Sequence, residues 1–113
     1  MYQVVAENND WVIFKVENAL DVCSVVDGAN WCIADEDNIE ESQYWFDHYT
    51  KNGELDMYIA RRLSTDDRQI NNICIISTKD RLQVQYIDSY DNEINPYKIS
   101  NFINIVNFKN KLS

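Results

Sequence analysis

A chain of 113 residues is the size of one domain, and 45% apolar residues with 12% aromatics supply a core without disulfides or metal, which excludes intrinsic disorder. Ten Lys and Arg against nineteen Asp and Glu leave a net charge of −9. That balance argues against direct nucleic-acid binding, because phosphate contacts need a basic patch.

Tyr2 to Ala6 and Trp11 to Val16 are β-prone runs around Glu7-Asn8-Asn9-Asp10, which has turn composition, so a hairpin is predicted. Asn18 to Val26 predicts a short helix, with Asn18 as N-cap and Gly28 just beyond its end. Ala19, Leu20, Val22, Cys23 and Val26 cover most of its circumference and leave Asp21 and Ser24 outward. After the apolar run Trp31 to Ala34, a second helix is predicted from Asp37 to Tyr49. Ile39, Trp45, Phe46 and Tyr49 fall on one side of it and Asp37, Glu40, Glu41 and Asp47 on the other. Asp35 to Asp37 sit where the helix dipole favours carboxylates, and Asn52-Gly53 supplies a stop. Strands are predicted at Leu55 to Leu63, Ile70 to Ser77 and Leu82 to Asp88. Beyond Pro96, the spacing of Ile99, Phe102, Ile103 and Val106 predicts a helix from about Lys98 to Lys111. Ile105, Phe108 and Leu112 form a second stripe on it, which a subunit contact or a deep groove would cover. The expected fold class is α+β: a single domain over residues 1–113, with a mostly antiparallel sheet of about five strands and two or three helices packed on one face.

The charge is concentrated. Residues 16–50 hold nine carboxylates and no Lys or Arg, whereas the remainder of the chain is balanced. Cys23, Cys32 and Cys74 have apolar neighbours and no close pair, so they read as reduced core residues of a cytoplasmic protein. No apolar run nears the ~18 residues that span a bilayer, and the first residues lack a signal peptide's cationic and apolar regions, so no membrane association is expected.

Catalytic motifs are absent from the sequence. There is one His, no H-E-x-x-H, no G-x-S-x-G, and two glycines are too few for a phosphate loop. Cys32 with His48 is the one nucleophile–base pair to weigh, and the surrounding carboxylates oppose the thiolate it would need. Asp35-Glu36-Asp37-Asn38 with Glu40-Glu41 has oxygen donors for calcium but not the order or the central Gly of an EF-hand loop. The expectation is therefore no enzyme and no cofactor.

Asp35, Glu36, Asp37, Glu40, Glu41 and Asp47 put six charges along ~20 Å of helix, or one per ~3–4 Å. One strand of DNA carries a charge every ~3.4 Å. A groove built for nucleic acid on another protein would accept such a face, and Tyr44, within the acidic arc, reads as its anchor. Glu17, Asp21 and Asp27 are outlying candidates. The expected partner is a basic, nucleic-acid-binding host protein, with the chain itself monomeric or homodimeric. The plain alternative is a solubilising acidic surface. Two further alternatives are self-association through the last helix and a small-ligand pocket between the sheet and Trp31 or Trp45.

Gly28-Ala29-Asn30-Trp31-Cys32-Ile33-Ala34, Tyr44-Trp45-Phe46 with Tyr49, Gly53, and Met57-Tyr58-Ile59-Ala60 resemble a module of small bacteriophage and mobile-element proteins. Its pattern is G-T-x-W-C-[IT]-[AS], an aromatic helix, a turn Gly and Y-[IV]-[IV]. Tyr86-Ile87-Asp88 and Asp91-Asn92-Glu93-Ile94 resemble its closing segment, so the likeness spans residues 28–94. Ala29 departs from the usual Thr or Ser. The shared residues imply a common scaffold, and small acidic phage proteins of this composition are similar in kind to inhibitors of host defence nucleases, anti-CRISPR proteins included.

Overall fold

The computed structural model describes residues 1–26, 31–64, 70–99 and 101–102, with the backbone alone at Cys32. Five strands, β1 (Gln3–Glu7), β2 (Trp11–Val16), β3 (Asp56–Arg62), β4 (Asn72–Ser77) and β5 (Val84–Asp88), form one antiparallel sheet in the order β1-β2-β3-β4-β5. Two helices, α1 (Ala19–Val25) and α2 (Ile39–Tyr49), are inserted between β2 and β3. The expected α+β class is the observed one.

Side chains alternate across a strand, and here both faces of the sheet are covered. Val12, Phe14, Val16, Met57, Ile59, Cys74 and Ile76 face the helices and meet Val22, Val25 and Phe46. Trp11, Ile13, Tyr58, Ala60, Ile73, Ile75 and Tyr86 point the other way. That second face is covered by the chain after β5, through Ile94, Ile99 and Phe102. Double coverage is why β4 is buried along its whole length. A register shift between Val4 and Ala6 puts the adjacent Val5 and Ala6 into the same core, which regular alternation forbids.

Two expectations need correction. The last helix does not begin at Lys98. Asn95 caps only a 3-10 turn, Pro96–Lys98, after which Ile99 is extended (φ −100°, ψ 123°). Phe102 then packs edge-on against Trp11 and Tyr86, on the face away from α1 and α2. Residues 103–113, with the predicted Ile105, Phe108 and Leu112 stripe, lie outside the described residues. In α1, Asp21 is buried (7% exposed) and Leu20 is outward (63%), the reverse of the expectation. Asn18 accepts the Asp21 N–H (2.9 Å) while the Asp21 carboxylate turns back to accept the Glu17 N–H (2.9 Å). This reciprocal cap draws Asp21 in. The expected stop at Gly28 lies outside the described residues; Val26 is already extended.

Candidate functional site

The acidic segment is two short helical pieces, not one rod. Asp35 caps a 3-10 turn, Glu36–Asn38, by accepting the Asp37 N–H (3.0 Å). The predicted helix from Asp37 in fact begins at Ile39, because Asn38 leaves the helical region (φ −141°, ψ 65°) and accepts the Glu41 N–H (3.4 Å). Asn and Asp compete with the helix for their own backbone, which is why two caps follow each other here.

Ser42 joins the pieces. It is fully buried, and its Oγ accepts the Asp35 N–H (3.0 Å) and donates to the Asp35 carbonyl (3.2 Å). Gln43 ties α2 to α1 by accepting the Ala19 N–H (2.9 Å), and its Nε2 donates to Asp47 (2.8 Å). The inward stripe of α2 is Ser42 and Phe46, followed by the cap Thr50, whose hydroxyl donates to the Phe46 carbonyl (2.8 Å). Ile39 and Tyr49, expected on the buried side, are at the exposed margin instead. Lys51, Asn52 and Gly53 then take positive φ in succession (51°, 55° and 95°), which ends α2 where Asn52-Gly53 was expected to.

Asp35, Glu36, Asp37, Glu40, Glu41, Tyr44 and Asp47 are all exposed, Tyr44 at 64%. Among the described residues, none of these six carboxylates forms an ion pair with a Lys or Arg. Of the outlying candidates, Glu17 is exposed beside the Met1 ammonium (3.3 Å), Asp21 is buried in its cap and is corrected as a contact, and Asp27 lies outside the described residues.

An aromatic ladder beside the acids is the feature that the residue-by-residue reading missed. Tyr44 meets Trp45 edge-on (ring centroids 5.2 Å), Trp45 meets His48 (5.7 Å) and Tyr49 (6.3 Å), and His48 meets Tyr49 (5.8 Å). The signal was available: positions 44, 45, 48 and 49 are i, i+1, i+4 and i+5 of one helix. His48, weighed above only as a base for Cys32, joins this ladder.

Cys74 is buried and Cys23 is half-buried. Burial, then the charges of Glu36 and Asp35, push the Cys23 thiol above its ordinary pKa. The Cys32 side chain of the weighed Cys32–His48 pair lies outside the described residues. Among the described residues, no three His, Cys, Asp or Glu converge as metal ligands, and no helix is long and apolar enough to cross a membrane. A cleft does lie between the sheet and Trp31, lined by Tyr49 but not by Trp45. Compared with known proteins, the chain matches no family model, no curated protein and no solved structure.

Proposed function

We propose that the chain is a non-enzymatic binder that docks its acidic α2 face on a basic, nucleic-acid-handling protein and occupies the place of nucleic acid there. A phage-encoded inhibitor of a host defence nuclease, working in the host cytoplasm, fits this description. One observation carries the reading: a run of exposed carboxylates without a cationic partner among the described residues adjoins an aromatic ladder in which Tyr44, His48 and Tyr49 are exposed around a half-buried Trp45. Charges on the rim steer encounter, and aromatic anchors hold the complex. Because the Asp35 backbone is folded onto Ser42, the six charges form a compact patch of carboxylates on two short pieces and not a straight row at the ~3.4 Å spacing of a nucleic-acid strand, so what the face offers a basic groove is its charge density. Helix-to-helix tethers at Ser42 and Gln43 make the face rigid before binding, which lowers the ordering cost.

The test is retention of bacterial nucleic-acid-binding proteins on the immobilised chain, with elution by salt or by competing double-stranded DNA. Glu40→Lys with Glu41→Lys is expected to abolish retention, and Tyr44→Ala to weaken it by about tenfold or more. Circular dichroism checks that both variants fold. Retention that survives ~0.5 M salt, competing DNA and both variants overturns the reading.

A further inference from the structure

Away from the acidic arc, the helix side of the sheet holds a cleft of about 270 Å³. Its walls are apolar: Trp31, Ile33, Cys74, Ile76 and Ile87, with Tyr49 at one side. Gln85, Asp91 and Glu93 stand at its exposed rim. Such a volume holds a dozen or so heavy atoms and lies just below the range of drug-sized ligand pockets, which starts at about 300 Å³.

The cleft is built from stiff parts. The Trp31 indole N–H donates to the Asp88 carbonyl (2.7 Å), which pins the ring that forms one wall to the end of β5. The buried Asp88 carboxylate accepts the Tyr90 N–H (2.9 Å) and the Asn92 N–H (3.0 Å), so one side chain shapes the loop that carries Asp91. Asp91 itself is held in the left-handed region (φ 63°) with its N–H on the Asp88 carbonyl (3.1 Å). Glu93 is bridged to Ile87 across the edge of β5. Two carboxylates thus face one apolar hollow from a preorganised loop, and among the described residues neither forms an ion pair.

We infer that this cleft binds a small organic cation: a flat or branched apolar body in the hollow, with an ammonium or guanidinium between Asp91 and Glu93. The apolar walls supply the burial, and the carboxylates with the faces of Trp31 and Tyr49 select the positive charge. An anion of the same shape meets two like charges and is rejected, while a neutral analogue gains the walls and forfeits the rim. Nothing in this inference depends on the acidic face of α2 having a protein partner.

Tryptamine, indole-3-propionate and indole are the probes, titrated into the ¹⁵N- and methyl-labelled protein. Tryptamine is expected to saturate with a dissociation constant of about 1 mM or tighter and to shift the Trp31 indole N–H, the Ile33, Ile76 and Ile87 methyls and the Glu93 amide. Asp91→Asn, which tolerates the left-handed backbone, and Glu93→Gln should each weaken it by about two- to fivefold. Glu40→Lys with Glu41→Lys should leave it unchanged. Three results overturn the inference: no saturable shift at those residues, equal binding of indole-3-propionate, or as large a loss in the Glu40 and Glu41 variant as at the rim, which would mean general attraction of a cation to an acidic protein.

Discussion

Cys23 shows how one residue reports on the acidic segment. Its thiol is half-buried on α1, and after burial itself the charges of Glu36 and then Asp35 disfavour the thiolate. A group whose folded pKa is raised adds stability that is complete below its unfolded value and disappears as pH climbs through the folded one. The Cys23 contribution is therefore whole at neutral pH and declines above about pH 9.0, the ordinary value for this thiol. Glu36→Gln removes one of the two charges and leaves the Asp35 cap in place. It is expected to speed alkylation of Cys23 by iodoacetamide at pH 8.5 and to make the alkaline loss of stability smaller, because the folded value moves toward the unfolded one. An unchanged alkylation rate would mean that burial alone holds the thiol neutral. The acidic surroundings of the cysteines were legible in the sequence as a count of carboxylates. Which acid bears on which thiol depends on how α1 packs against the Cys32–Ala34 turn and α2, and no spacing rule contains that.

At the scale of elements, strands were read nearly to the residue, and β2 to the residue, because a β-prone run bounded by Asn, Asp and Gly leaves little choice. Helix ends were read less well wherever capping competes with propagation, as at Asn38, and wherever a distant residue supplies the cap. The C-terminal end of α1 is the second case. Its last turn has no basic residue, yet Arg61 reaches over from β3, donates to the Val25 carbonyl (3.2 Å) and lies over the Phe14 ring (5.6 Å). One guanidinium thus meets the negative end of the helix and the aromatic face at once. Arg61→Met keeps much of the apolar contact and removes the charge. It is expected to destabilise the fold by about 1–2 kcal/mol in urea titration, with Arg61→Lys recovering only part. Full recovery by Lys would assign the effect to charge alone. The three-stranded run after α2 was legible, but the covering of the second sheet face was not. Ile99 and Phe102 look like a helical stripe in sequence; instead Ile99 is extended, the Phe102 N–H closes a turn on the Ile99 carbonyl (3.3 Å), and both side chains pack on the second face, Phe102 against Trp11 and Tyr86.

Over the whole molecule, charge and fold pull against each other. The described carboxylates of residues 35–47 are exposed beside one another with no cationic partner among the described residues, while Lys15 and Lys79 gather around Asp56 elsewhere. Like charges held together in the native state repel more than they do in the extended chain, so this segment costs stability that the two-sided core supplies. Salt screens that repulsion over about 10 Å at 0.1 M. Folding stability should therefore rise with added NaCl, whereas binding of a basic partner should fall, and both trends should originate in the same residues. Glu40→Gln with Glu41→Gln separates them from general salt effects. The double variant is expected to be more stable than the parent by about 0.5–1 kcal/mol at low salt, to gain less from NaCl, and to bind basic partners less tightly. Urea titrations at 20 mM and 500 mM NaCl measure the first two effects. A parent whose stability falls with salt, or a double variant less stable than the parent, would mean that these carboxylates support the fold, and an acidic face that serves the fold needs no partner to account for it.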